Sequence, residues 1–103
     1  MSIQCDYLVI GTGSIAKRHV DNLKDIFGSK IIGIASGTER KIDSGKYNAD
    51  LVFRSISEAI INKPKFAIIA TPSNFHLENA IECLTANIPI LIEKPLSNNL
   101  ENL

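Results

Sequence analysis

The chain has 103 residues, of which 45% are apolar and 21% charged, and its 11 basic side chains balance its 11 acidic ones. This composition is typical of one globular domain with a modest core. The balanced charge argues against a nucleic-acid partner, because binding to phosphates needs clustered Lys and Arg. No apolar run approaches the roughly 20 residues that span a bilayer. We therefore expect no nucleic-acid partner and no membrane association.

The N-terminal sequence and the cysteines indicate the compartment. Residues 1–11, MSIQCDYLVIG, lack the basic start and long apolar stretch of a secretory signal, so a cytoplasmic location is predicted. Cys5 and Cys83 lack the CxxC spacing of metal and redox sites. We expect both to be free thiols and predict no metal site.

Strand and helix patterns alternate along the chain, which is typical of α/β proteins with a parallel sheet. The first strand is predicted over residues 6–10, whose apolar run after Asp6 is expected for a strand covered on both faces. A helix follows from Ser14 and ends at Gly28. Its expected buried face consists of residues at helical spacing: Ala16, Val20, Leu23 and Phe27.

The later elements follow the same alternation. Further strands are predicted over residues 30–35, 51–54, 66–70 and 89–92, with a polar loop over 36–50. Ser55 and Glu58 have capping-box spacing and begin a short helix that ends before Pro64. The last helix, residues 74–86, is predicted from four apolar residues at helical spacing: Leu77, Ala80, Ile81 and Leu84.

The turn after the first strand has the glycine spacing of a dinucleotide-binding turn. It consists of Gly11, Thr12, Gly13, Ser14, Ile15 and Ala16. Gly11 would permit the tight turn, Gly13 would let the backbone approach a pyrophosphate, and Ala16 would let the helix pack on the sheet. The N–H groups near Ser14 and Ile15 would bind the phosphates, assisted by the helix dipole.

This turn and the connection rules predict a doubly wound sheet in the order 3-2-1-4-5, with helices on both faces. Ligands of such sheets bind at the carboxyl ends of the strands, where the order reverses. The segments that leave those strand ends are therefore candidate functional segments: residues 11–16, 36–41, 71–76 and 93–96.

The end of the second strand favours NADP over NAD. Ser36 stands where an acidic residue would bind an adenosine ribose without a 2′-phosphate. Ser36, Gly37 and Arg40 instead offer a hydroxyl, a flexible backbone and a cation that suit a 2′-phosphate. The alternative is that Arg40 and its neighbour Lys41 are solvated loop cations, in which case NAD is the second choice.

Three motifs together resemble one family. GTGSIAKRH after the first strand, ATPSNFH after the fourth and EKP after the fifth are similar to successive motifs of the Gfo/Idh/MocA oxidoreductases. The resemblance implies a Rossmann domain for NAD or NADP over residues 1–103. It also implies a C-terminal domain that binds a sugar, polyol or related substrate and is absent from this chain.

The resemblance also implies roles for the later strand ends. Thr71, Pro72 and Asn74 would lie along the pyrophosphate and the nicotinamide ribose, and His76 would either contact the cofactor or make a local cap or packing contact. Glu93 would lie near the nicotinamide ribose.

Lys94 is the single catalytic candidate, and the resemblance also places it at the cofactor. Its ammonium would hydrogen-bond the substrate oxygen and stabilise the charge that develops during hydride transfer. A salt bridge at the strand end is the structural alternative for the Glu93-Lys94-Pro95 segment.

Two functions remain open at this stage. The first is the cofactor-binding part of an NAD(P)-dependent oxidoreductase, inactive by itself because the substrate domain is missing. The second is a non-catalytic nucleotide-binding module or subunit. A sugar-like substrate would bind only if a second domain is supplied, and surface left uncovered by its absence predicts self-association into a homo-oligomer.

Overall fold

The computed structural model describes residues 4–37, 42, 45, 47–71 and 73–92, with residues 73–76 described by their backbone alone. The strands and helices follow the predicted order, with boundaries within one or two residues of those expected. The elements are β1 (Tyr7–Ile10), α1 (Ser14–Ile26), β2 (Ile32–Ala35), β3 (Leu51–Phe53), α2 (Ile56–Ile61), β4 (Phe66–Ile69), α3 (Ser73–Thr85) and β5 (Ile90–Ile92).

The five strands form one sheet in the order β3-β2-β1-β4-β5, and every pair is parallel. This confirms the α/β class and the predicted order. β1 is central, with Ile10 in register with Ala35 of β2 and with Ile69 of β4. The carboxyl ends of these three strands therefore lie side by side.

Two apolar cores cover the two faces of the sheet, because successive strand residues point to opposite faces. Leu8 and Ile10 belong to the core under α2 and α3, whereas Val9 between them belongs to the core under α1. All three are fully buried. The helices therefore lie on both faces, as a doubly wound sheet requires.

α1 buries most of its predicted face. Ala16, Val20 and Leu23 are buried as expected. Phe27 differs: it follows the last helical residue, is 36% exposed, and its ring packs edge-on against Tyr7 with centroids 5.0 Å apart. Because the helix ends at Ile26, Phe27 no longer follows the helical spacing that placed it on the buried face.

The predicted cap of α2 forms, with one difference in its partner. The Ser55 hydroxyl accepts from the Glu58 N–H at 3.2 Å. The Glu58 carboxylate accepts from the Arg54 N–H at 2.9 Å, one residue before the N-cap. The first bond uses an N–H of the first helical turn, which has no intrahelical partner, and the second uses the N–H of the residue before the N-cap.

Helix α3 forms as predicted, but three of the four apolar residues at helical spacing do not face the sheet. Leu77 is 71% exposed, and Ile81 and Leu84 are also more than half exposed. Only Ala80 is buried, and it shares the sheet side of the helix with Asn79 and Cys83, which the prediction did not include. Smaller side chains thus face the sheet and the larger apolar ones lie further round the helix.

Asp6 and Asp50 anchor the amino-terminal edge of the sheet. Asp6 accepts from the Ile31 N–H at 2.7 Å, which lowers the pKa of its carboxyl, and Lys65 at 3.4 Å lowers it further. Burial raises the pKa of Asp50, but bonds from the Ile32 N–H at 2.8 Å and the Lys24 ammonium at 2.9 Å outweigh it. The pKa of Asp50 is therefore below its ordinary value.

Both cysteines are free and buried, and burial raises the pKa of the Cys5 thiol to about 12 and that of Cys83 to about 11. Within the described part of the chain, no helix is both long and apolar enough to cross a membrane. Among those same residues, no three His, Cys, Asp or Glu side chains come together as a metal site would require.

Candidate functional site

The candidate site lies where β1, β2 and β4 end. The Gly11 N–H donates to the Ala35 carbonyl at 2.8 Å, and the Ala70 N–H donates to the Ile10 carbonyl at 2.8 Å. These bonds continue the sheet by one residue beyond its strands and hold three chain segments side by side. Two of them are named here: the glycine turn, residues 11–16, and the β2 outlet, residues 36–37.

Gly11 is required by the fold itself. Its φ is +143°, a conformation that side chains rarely adopt. A Cβ there would stand 2.7 Å from the Ala70 carbonyl oxygen and 3.4 Å from the Ala16 Cβ. The turn is therefore tight because β4 and α1 both press against it, as predicted for Gly11 and Ala16.

Gly13, in contrast, is not required by the fold. It is the N-cap of α1 with φ −92° and ψ −171°, an extended conformation open to any residue. No described atom lies within 4 Å of the place where its Cβ would stand. α1 also has neither a side-chain cap nor an acidic residue in its first turn. The first amides of α1, at the exposed Ser14 and the half-buried Ile15, therefore border open space.

Tyr47, which sequence reasoning missed, holds the glycine turn from the loop before β3. Its hydroxyl donates to the Thr12 carbonyl. Because C=O and N–H point in opposite directions across a trans peptide, this bond orients the Gly13 N–H away from Tyr47. A Tyr in a polar loop carries no pattern that could have revealed this contact.

A buried polar network holds the β2 outlet. The Thr71 hydroxyl donates to the Asn79 side-chain oxygen at 2.6 Å, and the Asn79 amide nitrogen donates to the Gly37 carbonyl at 3.1 Å. Ser36 beside it is only 1% exposed, and its N–H donates to the Phe53 carbonyl at 3.4 Å. Asn79 was missed because its polarity suggested solvent; its spacing of four from buried Cys83 was the available signal.

The structure thus brings together the glycine turn, Ser36, Gly37 and Thr71 at one edge of the sheet. Asn74 and His76 lie in the first turn of α3, but their side chains are outside the described part. The remaining predicted site residues also lie outside it: Arg40, Pro72, Glu93 and Lys94. The roles of all these residues stay predictions.

Comparison with known proteins identifies the family. Residues 5–103 match the Gfo/Idh/MocA family model, described as an oxidoreductase family with an NAD-binding Rossmann fold. The match covers nearly the whole chain. It includes the glycine turn and both later motifs that the sequence singled out.

Curated relatives are similar over most of the chain. It is 33% identical over 92 residues to 4-carboxy-2-hydroxymuconate-6-semialdehyde dehydrogenase of Sphingobium sp. (strain NBRC 103272 / SYK-6), covering 86% of this chain and 29% of that protein. It is 29% identical over 94 residues to glucose-6-phosphate 3-dehydrogenase of Bacillus subtilis (strain 168), covering 90% and 27%. It is 28% identical over 96 residues to inositol 2-dehydrogenase of Rubrobacter xylanophilus (strain DSM 9941 / JCM 11954 / NBRC 16129 / PRD-1), covering 90% and 28%. The chain thus spans less than a third of these relatives' length.

A solved structure supports the fold. The WlbA dehydrogenase from Bordetella pertussis, in complex with NADH and UDP-GlcNAcA, superposes with a TM-score of 0.73 at 22% identity, covering 96% of this chain and 32% of that one. At this identity the likeness concerns the fold alone. With the family model matched over residues 5–103, the chain belongs to the Gfo/Idh/MocA oxidoreductases and forms their NAD-binding Rossmann fold.

Proposed function

We propose that this chain binds NADP, with NAD as the weaker ligand, for a dehydrogenase that acts on a sugar, polyol or related substrate. The observation that carries the proposal is Gly13. The fold leaves space for a side chain there, with no described atom within 4 Å of a Cβ, yet the residue is a glycine facing uncapped helix amides. A pyrophosphate on the amides of residues 13–15 accounts for that space.

The β2 outlet supports the preference for NADP. Ser36 stands at the end of β2, where a carboxylate would bind the ribose of NAD and repel a 2′-phosphate. Gly37 is half-buried beside Ser36, and Arg40 supplies a cation that makes charge-assisted hydrogen bonds to the phosphate.

The later motifs supply the groups nearest the reaction. Thr71, Pro72 and Asn74 line the cofactor, His76 lies beside them, and Glu93 binds the nicotinamide ribose. Lys94 also contacts the cofactor, and its ammonium hydrogen-bonds the substrate oxygen. When bound, the nicotinamide supplies the hydride chemistry, and the chain's own groups orient the reactants and stabilise charge.

These 103 residues bind the cofactor without turning over substrate. The chain spans 27% to 29% of the three relatives above, which supports a substrate site formed largely by residues outside the matched part. The relatives' names, among them glucose-6-phosphate and inositol dehydrogenases, support a polyhydroxylated substrate for the whole enzyme.

Parallel calorimetric titrations with NADPH and NADH test the proposal, using the wild type and Gly13→Val. We expect the wild type to bind NADPH about tenfold more tightly or better, the effect of charge-assisted bonds. Gly13→Val should keep the wild-type melting temperature, because its side chain enters open space, and lose binding of both compounds.

Ser29→Val is the matched control, because Ser29 is exposed beyond the opposite end of α1. It should bind both compounds like the wild type. Equal wild-type affinities would overturn the preference for NADP, and undiminished binding by Gly13→Val would overturn the site.

A further inference from the structure

We infer that Asn79 is a positioning residue that sets the cofactor preference by fixing the β2 outlet. The inference rests on the proposed function, since it presumes that the outlet faces the adenosine ribose. Asn79 lies on α3, on a different element from every residue predicted to contact that ribose. It acts through Gly37 rather than on the cofactor.

The chemistry of the network requires an amide at this position. Asn79 is 2% exposed, its side-chain oxygen accepts from the Thr71 hydroxyl at 2.6 Å, and its nitrogen donates to the Gly37 carbonyl at 3.1 Å. A short side chain that accepts on one side and donates on the other serves both bonds at once. An aliphatic side chain of similar size would leave the Gly37 carbonyl without this donor.

Side chains pack closely on one side of Gly37, and the bond from Asn79 restrains the backbone from moving away from them. A Cβ on Gly37 would stand 2.6 Å from the Thr71 methyl carbon, 2.7 Å from the Asn79 side-chain oxygen and 3.1 Å from the Ile10 side chain. The outlet backbone therefore already lies against these side chains and cannot move inward. The Asn79 donor opposes outward movement, so the position of Gly37 is fixed from both directions.

The same contacts place the outlet beside the glycine turn. Ile10, which underlies Gly37, directly precedes Gly11 of the turn. The adenosine half of the cofactor would span from the pyrophosphate on the turn to the ribose at the outlet. A shift of Gly37 would therefore change the backbone that faces the ribose, whereas the pyrophosphate would stay on the amides of residues 13–15.

A purely structural role for Asn79 makes a different prediction. Loss of a buried hydrogen bond would then lower stability and reduce the binding of NADPH and NADH by the same factor. A positioning role changes the ratio of the two affinities, because only NADPH carries the 2′-phosphate. The ratio is thus the measurement that separates the two roles.

The test compares the ratio of NADH to NADPH dissociation constants in the wild type, Asn79→Leu and Asn79→Ala. Leu keeps the volume and Ala does not, so a shared effect reports the lost hydrogen bonds. We expect the wild-type preference for NADPH to fall by between about threefold and tenfold in both, as one hydrogen bond implies. Thr71→Val, which keeps the shape of Thr71 and frees the Asn79 amide, should lower the preference less.

Cys83→Ala is the matched control, because Cys83 is fully buried one turn further along α3. It should lose stability and keep the wild-type ratio. The inference is overturned if Asn79→Leu and Asn79→Ala both keep the wild-type ratio within about twofold, less than one hydrogen bond is worth. If the wild type binds neither compound, the proposed function itself fails.

Discussion

The glycine turn and the β2 outlet lie side by side but are shaped in different ways. Backbone conformation and close packing shape the turn, since Gly11 has φ +143° and faces the Ala70 carbonyl. Side chains from a distant helix shape the outlet, because Asn79 donates to the carbonyl of Gly37, 42 residues earlier. The first is a local property of the sequence and the second is a property of the folded chain.

This difference separates two parts of cofactor recognition. The turn offers main-chain N–H groups, which would bind the pyrophosphate that NAD and NADP share. The outlet would meet the ribose, where the two compounds differ. Damage to the turn should therefore weaken both ligands alike, and damage to the outlet should change the preference between them.

The largest effect is expected for Gly11→Ala. The added Cβ would stand 2.7 Å from the Ala70 carbonyl oxygen on a backbone that disfavours side chains. Strain and overpacking together should cost about 3 kcal/mol or more in the free energy of unfolding. Thermal melts followed by circular dichroism measure this, and binding of both compounds should be lost.

Gly13→Ala is the control for Gly11→Ala, because it adds the same methyl group two residues later in open space. It should melt like the wild type. Equal losses of stability in the two variants would contradict the distinction between a glycine that the fold needs and one that the ligand needs.

Tyr47→Phe should weaken cofactor binding to an intermediate degree, and only through the glycine turn. It removes only the hydroxyl that donates to the Thr12 carbonyl. We expect NADPH and NADH to weaken by the same factor, between about threefold and tenfold, because the Gly13 N–H loses its fixed direction. Calorimetry of both compounds measures this.

Tyr7→Phe is its control, since Tyr7 stacks on Phe66 at the opposite end of β1 and β4. That variant should bind like the wild type. A change in the NADPH preference of Tyr47→Phe would contradict the division of roles between turn and outlet.

Asp50→Asn should change stability only slightly and cofactor binding not at all, because Asp50 lies in neither the glycine turn nor the β2 outlet. Asp50 accepts from the N–H of Ile32, at the start of β2 and away from the outlet. Loss of its charge should cost about 1 kcal/mol in stability and leave both affinities unchanged.

The pH dependence of Asp50→Asn follows from the lowered pKa of Asp50. A lowered folded-state pKa contributes stability above the ordinary value of 3.8, and this contribution is lost as the pH falls through the folded-state value. The difference in melting temperature between wild type and Asp50→Asn should therefore shrink as the pH falls below about 4. A difference that stays constant from pH 7 to about 3 would contradict this role.

Sequence reasoning reached the sheet order and the turn because both depend on local patterns. Apolar runs define the strands, and the spacing of Gly11, Gly13 and Ala16 defines the turn. Helix α3 itself was predicted, but which of its residues face the sheet was not, because close packing there favours small side chains over large apolar ones. Leu77 is therefore exposed and Asn79 buried.

The hydrogen bonds of Asn79 to Thr71 and Gly37 could not be predicted, because Gly37 is far from the other two residues in the chain. Thr71, Asn79 and Gly37 come together only once β1, β2 and β4 are paired and α3 is in place. Tyr47 meets Thr12 across 35 residues in the same way. No spacing rule joins such positions.

The most direct test of the central claim is an amide spectrum of the ¹⁵N-labelled chain during titration with NADPH. If the main-chain N–H groups of the glycine turn bind the pyrophosphate, the signals of Gly13, Ser14 and Ile15 should move most, followed by Gly37. Saturation that shifts other amides while those three signals stay in place would contradict the account.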